Sequence, residues 1–382
     1  MSRRLQMFIS GFFLAIIFGL PFSQAGIEIY RGRLPQVLEV FTQVPTRSNL
    51  RAFEKDLERA SVYATALRPW VQSFVFLALK DPGEKALMGR DGWLFYTPDV
   101  QYLLETNVPQ GGKEPEDPVS AIVSFRTQLD RRGIRLLVMP MPGKPSIYPD
   151  KLTGRMVLQN RDFVSPTRQL ISRLRTAGVE TIDLFETFLL LRRQGLSDTA
   201  EPYYLAQDTH WSGTAVRIAA QVVTRRLLEL GWVQTGPTEY EDKPVDLRRK
   251  GDIIRMVDVP SLQWSFPAEN VHCFQVFDKG SGTLYRDDVR SEVLLLGDSF
   301  LRMYETDEPH SAGFIAHLAR ELRAPLSSVV NDGGASTLVR QQLSRRPGLL
   351  RNKKLVIWEF VERDIRVGTD GWKYVSLPGD QQ

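Results

Sequence analysis

The chain has 382 residues, 42% hydrophobic and 25% charged, the composition of a folded protein with ample core and room for one large or two ordinary domains. Forty-nine basic against 45 acidic residues leave +4, too small an excess to argue for nucleic acid, and no Arg/Lys run is interleaved with aromatics; a polyanionic substrate or a membrane surface stays open. The lone cysteine, Cys273, excludes an intrachain disulfide, a Cys-based metal site and a two-cysteine redox motif, and reads as a small buried residue.

Arg3 and Arg4 precede an apolar stretch from Met7 to Phe22, a basic n-region followed by an h-region, so the remainder is expected to be exported. Ser23-Gln24-Ala25 suits signal peptidase. The stretch also approaches the lower limit of about 17 residues for a spanning helix, and the preferred reading of residues 1–25 is an uncleaved signal anchor. Residues 26–47 read as a poorly structured tether. Residues 48–80 follow a helical pattern: Leu50, Phe53, Leu57, Ala60, Ala64 and Leu67 recur at three- and four-residue spacing behind a Ser48 cap, with a kink or break expected at Pro69. Asp81-Pro82-Gly83 ends that segment, and Gly89-Arg90-Asp91-Gly92 turns into a strand at Trp93-Leu94-Phe95-Tyr96.

A loop at 111–115 precedes a helix from Asp117-Pro118 to about Arg132, stopped by Gly133 and followed by a strand at 134–139. The rhythm repeats with a helix at 162–177, Gly178 and a strand at 179–182. Ser212 caps a helix over 213–230, and residues 236–290 look less regular. Then come a strand at 293–296, a helix at 311–323, a strand at 327–330, a helix at 336–345 and a strand at 354–360. Strands alternating with helices predict an α/β fold with a mostly parallel sheet flanked by helices, and a single catalytic domain over 81–382.

Gly297-Asp298-Ser299-Phe300 follows the apolar run Val293–Leu296, so the Ser299 hydroxyl stands where a strand exits toward a helix. Ligands and reacting groups collect at such strand ends. A serine hydroxyl needs a base before it can attack, and Asp208-Thr209-His210-Trp211 supplies one. In extended backbone, residues two apart project to the same side, so Asp208 can hold the His210 ring and stabilise its imidazolium. The triplet alone is also compatible with a metal ligand pair or a local turn, but no second His or Cys cluster completes a metal site. Together the residues point to acyl transfer.

Gly297-Asp298-Ser299 resembles block I of the SGNH (GDSL-like) hydrolases. The Asp-x-His block here lies before the serine rather than after it, and that permuted order resembles the alginate O-acetyltransferase family of AlgJ and AlgX type. Similarity extends to Gly89–Tyr96 and to residues 140–149, and covers roughly residues 85–365; the basic N-terminus and the length fit the AlgJ branch. The resemblance implies a circularly permuted, SGNH-hydrolase-like fold with Ser299 as nucleophile, His210 as base and Asp208 as orienting acid. It implies an oxyanion hole made by the Ser299 N–H and a glycine N–H, Gly334 or its neighbour Gly333. The asparagine that serves as third donor in many SGNH enzymes is not apparent; Glu359–Asp364 stands there instead.

Around this centre, Arg363 is compatible with binding a substrate carboxylate or with a structural salt bridge. Arg302 and Tyr304 either line the pocket or pack the following helix, and Trp211 is either a sugar platform or a core aromatic. Lys144 is a weaker candidate for meeting a uronate. The resemblance further implies mannuronate hydroxyls of alginate as acceptors, a membrane-bound O-acyltransferase partner as acetyl donor, other alginate acetylation proteins, a periplasmic location at the inner membrane, and neither metal nor diffusible cofactor. Two rival readings are a carbohydrate acetylesterase with the same triad and a non-catalytic scaffold of an exopolysaccharide acetylation or secretion complex.

Overall fold

Uninterrupted apolar runs such as Val293–Leu296 and Leu355–Trp358 fit a strand buried on both faces, the situation inside a parallel sheet covered by helices. A computed structural model describes residues 3–104, 117–155, 164–195, 201–257, 259–366 and 371–378. The loop expected at 111–115 and the first residues of the helix expected at 162–177 lie outside them. In chain order the strands are β1 (Ala86–Met88), β2 (Leu94–Tyr96), β3 (Arg135–Met141), β4 (Glu180–Thr181), β5 (Tyr240–Arg249), β6 (Glu269–Asp278), β7 (Val293–Gly297), β8 (Ser327–Val330) and β9 (Leu355–Val361).

Five of them form one sheet in the order β4-β3-β9-β7-β8, every neighbouring pair parallel. The centre is β9, all seven of whose residues are buried. Successive side chains alternate between faces. Leu355, Ile357 and Val361 join one apolar cluster, with Leu295, Leu137 and the helices Gly213–Glu229 and Phe314–Leu322. Val356, Trp358 and Phe360 join the other, with Leu294, Leu296 and the helix Pro118–Asp130. The expected α/β sheet covered on both sides is therefore present. The stretch 236–290, expected to be irregular, instead contains the long antiparallel hairpin of β5 and β6. Its period-two signal is short and confined to positions such as Val271 and Cys273, where polar residues intervene.

The chain divides into two compact units, one made of Met1–Pro82 with Val259–Trp264 and the other of Gly83–Asp258 with Ser265–Gln382. In the first, helix runs continuously over Arg4–Tyr30 with mean hydropathy 2.0, beyond the Phe22 limit of the apolar stretch. Helix therefore covers the start of the segment expected as a tether, and a 3-10 turn at Gln36–Phe41 follows it. Residues 48–80 form two helices, Arg47–Ala60 and Val62–Leu79. They break at Ser61, whose hydroxyl caps the second by accepting from the Ala64 amide at 3.1 Å, while Pro69 lies inside a helix. A cap satisfies an end donor; Pro69 merely forgoes one bond. Both Arg4–Tyr30 and Val62–Leu79 are long and apolar enough to cross a membrane by length and composition.

Candidate active site

The turn that carries Ser299 is built by β7 running out of apolar residues at Gly297. Asp298 then caps the short helix Ser299–Arg302: its Oδ1 accepts from the Phe300 amide at 2.8 Å, and its Oδ2 accepts from the Val361 amide on β9 at 3.3 Å. Below the turn lies Glu359, fully buried, whose Oε2 accepts from the Asp298 amide at 3.0 Å. Burial and the nearby Asp298 charge push the Glu359 carboxyl well above its usual range. A Cβ on Gly297 would stand 2.4 Å from Glu359 Oε2 and 2.5 Å from Leu301 Cδ1. Gly297→Ala is therefore expected to destabilise the fold by about 1–3 kcal/mol through overpacking, read as a lowered midpoint in urea.

The Asp208-Thr209-His210 loop is pinned from several sides. Tyr204 and Trp211 form a β-bridge that closes it. From beneath, the buried Lys144 ammonium donates to the carbonyls of Leu205, Ala206 and Asp208 at 3.1, 3.0 and 2.8 Å. From the side, the Glu269 carboxylate accepts from the amides of Ala206 and Gln207 at 2.8 and 2.7 Å. The Gly251 backbone presses so close that a Cβ there would meet the Gln207 carbonyl oxygen at 1.9 Å. Gly251→Ala is thus expected to displace Asp208, lowering turnover at least about tenfold together with the melting temperature; unchanged kinetics would refute the tight packing.

Within that frame Asp208 Oδ1 lies 2.6 Å from His210 Nδ1, and His210 Nε2 lies 2.8 Å from Ser299 Oγ. Phe300 packs against the imidazole, ring centroids 4.9 Å apart. Asp208 is fully buried, and its Oδ2 accepts from Arg249 Nε and from the Asp252 amide, each at 3.1 Å. Asp252 in turn holds Thr209, accepting from its amide at 2.7 Å and its hydroxyl at 2.5 Å, and places Oδ2 3.4 Å from His210 Nδ1. Burial alone would raise the Asp208 pKa, but the His210 hydrogen bond and charge, with Arg249, hold it far below the usual carboxylate range. Burial would lower the His210 pKa, but Asp208 and then Asp252 outweigh it and raise the imidazole to about 9.

The sign of that shift has two consequences. Imidazolium stabilises the fold in full below the unperturbed value of 6.5, and this contribution is lost as pH rises through about 9. The neutral ring that can accept a serine proton gains population over the same window. Serine acylation by a small ester is expected to rise with pH to a plateau above about 9, and Asp252→Asn to move that rise to lower pH; a pH–rate profile of both proteins checks this. Asp208, His210 and Asp252 also place one donor atom each within 4.8 Å of one another, a spacing that suits a metal ion. Here Arg249, the Asp252 amide, Thr209 and Ser299 already engage those atoms, so the set is filled by hydrogen-bond partners.

A cavity of about 350 Å³ opens over Ser299, with His210, Arg249, Arg255 and Gly334 among its lining. The Ser299 amide opens a helix, so no helical carbonyl can take it. Gly333 and Gly334 both reach the cavity, yet their amides donate within their own turn, Gly333 to Asn331 Oδ1 at 2.9 Å and Gly334 to the Asn331 carbonyl at 3.2 Å. Arg302 lines the cavity wall and pairs with Asp332 at 2.8 Å and with Asp307. Arg363 also lines it, tied to the buried Asp99 at 3.0 Å, as a structural salt bridge would be.

Burial decides three alternatives that the sequence left open. Trp211 is fully buried against Phe300 and Phe314, so it offers no face to a sugar. Tyr304 is equally buried, its hydroxyl donating to the Trp211 carbonyl at 3.1 Å. Lys144 is sealed beneath the His210 loop and cannot meet a uronate. Conversely, Arg249, Asp252 and Glu269 escaped the sequence reading. Arg249 and Glu269 are register partners at the end of the β5–β6 hairpin where the chain leaves one strand for the connection to the other, so missing the hairpin meant missing both.

A family model described as SGNH hydrolase-like domain, acetyltransferase AlgX, matches residues 86–362. The chain is similar to the probable alginate O-acetylase AlgJ of Pseudomonas aeruginosa, 23% identical over 298 residues that cover 74% of this chain and 71% of that protein. It is likewise similar to the alginate biosynthesis protein AlgX of the same organism, 24% identical over 289 residues covering 72% and 55%. Among solved structures, the O-acetyltransferase domain of Pseudomonas putida AlgJ shares the fold with TM-score 0.57 at 20% identity, covering 75% of this chain and 93% of that one. Pseudomonas aeruginosa AlgX does so with TM-score 0.53 at 22% identity, covering 72% and 62%.

Proposed function

Since the chain belongs to the family of SGNH hydrolase-like acetyltransferases of AlgX type, we propose that it O-acetylates a polysaccharide through an acetyl-serine formed on Ser299. The observation that carries this reading is the unbroken hydrogen-bond relay from Asp208 through His210 to the Ser299 hydroxyl at the floor of an open cavity. Neutral His210 takes the serine proton as Ser299 Oγ attacks the acetyl carbonyl of a donor ester, and the imidazolium is held by Asp208. The oxyanion is met by the Ser299 amide, with Gly334 joining once its N–H leaves the Asn331 carbonyl. The departing donor alcohol recovers the proton from His210. An acceptor hydroxyl then gives its proton to His210 and attacks the acetyl-serine, and Ser299 leaves with that proton restored.

The names of the relatives support alginate mannuronate as the acceptor. The apolar helix Arg4–Tyr30 supports an anchor in the inner membrane with the enzyme on the periplasmic side. Acetyl-CoA is cytoplasmic, so an exported transferase requires a carrier across the membrane, a role that suits a multispanning O-acyltransferase within an alginate acetylation complex. The test is mass spectrometry after brief exposure to an activated acetyl ester, followed by oligomannuronate. An adduct of one acetyl group on Ser299 that moves to the oligosaccharide is expected. Release of free acetate alone would instead make the protein an esterase, and turnover unaffected by Ser299→Ala would make it a scaffold.

A further inference from the structure

A second cavity, about 540 Å³ and larger than the serine pocket, lies next to it: Arg302 and Asp332 line both. Their ion pair at 2.8 Å therefore forms a shared wall. The second cavity has aliphatic walls from Leu301, Ile315 and Val330, and polar groups from Ser328, Asp287 and Glu305. An apolar patch beside convergent carboxylates and hydroxyls is the lining a pyranose asks for, one ring face packing while its hydroxyls are bonded, and the volume lies within the range of about 300–1,000 Å³ usual for small-molecule sites.

Charge accounting narrows the ligand. Asp332 is matched by Arg302. Asp287 accepts from the Tyr285 hydroxyl at 3.1 Å and from Ser328 Oγ at 2.5 Å. Burial pushes the Glu305 carboxyl up to about 8, leaving it largely neutral near pH 7. Arg286 lines the cavity, is exposed, and has no acidic partner among the described residues. Its guanidinium is the cation of the cavity with no acidic partner among the described residues, since Arg302 is paired with Asp332, and it is suited to a carboxylate.

We propose that this cavity is a subsite for the sugar unit adjoining the one acetylated, with Arg286 receiving that unit's carboxylate; the inference rests on the acyl-transfer reading of Ser299. A polymer held only at its reacting residue would be poorly oriented, whereas contacts to the neighbouring unit fix the attacking hydroxyl over the acetyl-serine. The subsite makes the enzyme select chains of uronates over neutral chains of the same linkage.

The full-length Ser299→Ala chain in detergent, titrated calorimetrically, measures this without turnover. The probes are β-1,4-linked tetramannuronate, monomeric mannuronic acid and neutral β-1,4-mannotetraose. Tetramannuronate is expected to bind at least about tenfold more tightly than either other probe, a free-energy gain of about 1.4 kcal/mol. Adding Arg286→Gln should erase the preference over mannotetraose, and adding Ser328→Tyr, which fills the cavity, should erase the gain over the monomer. Tetramannuronate affinity unchanged by both folded variants, or no preference in the parent protein, overturns the subsite. Failure of the serine reading shows separately, as absence of an acetyl adduct on the Ser299-containing protein.

Discussion

Ser299→Ala is expected to lower acetyl turnover about 1000-fold or more and to abolish the covalent adduct, while the fold stays intact. The magnitude follows from the role proposed for the hydroxyl: without it no acyl intermediate forms, and binding and oxyanion contacts alone retain only a small part of the acceleration. The fold should survive because Ser299 Oγ bonds to the His210 ring, while the turn itself is held by Asp298 and Glu359. Steady-state ester turnover and intact-protein mass measure the two effects. A variant that still acquires one acetyl group at the parent rate would remove Ser299 from the chemistry.

Asp208→Asn should cost about 1000-fold to 10,000-fold in turnover with little change in acceptor KM, because an amide can present N–H to His210 Nδ1 and so favour the wrong tautomer. It should also lower stability by about 1–3 kcal/mol, since Arg249 would lose its closer carboxylate partner and keep only Asp307, at 3.5 Å. The pH dependence separates this from simple unfolding. With the Asp208 charge gone, desolvation and only the Asp252 carboxylate act on His210, so residual acylation should reach its plateau well below pH 9. A residual profile that still rises through 9 would mean that another group controls the titration.

Much of the frame was legible locally. The apolar runs of β7 and β9, the glycines ending helices at Gly133 and Gly178 and the Ser212 cap each encode their own short-range preference, and the parallel sheet follows from their alternation. The boundaries that moved did so where two local signals competed. Pro69 looked like the stronger breaker, but Ser61 offered a side-chain acceptor and set the helix start. The β5–β6 hairpin was invisible because its strands are exposed and polar at many positions, which leaves alternation too faint to read.

What the amino-acid order determined by itself was the chemistry available: a hydroxyl at a strand exit, and an acid and imidazole two residues apart in a loop. Those are properties of neighbours in the chain, fixed by turn preference and strand period. Only tertiary packing decided that the imidazole, 89 positions before the serine, stands 2.8 Å from it. Packing likewise sent Trp211, Tyr304 and Lys144 inward, and brought Arg249 and Asp252 to the Asp208 carboxylate. Burial and charge pairing depend on which distant segments share a face, and that information is distributed over the whole chain.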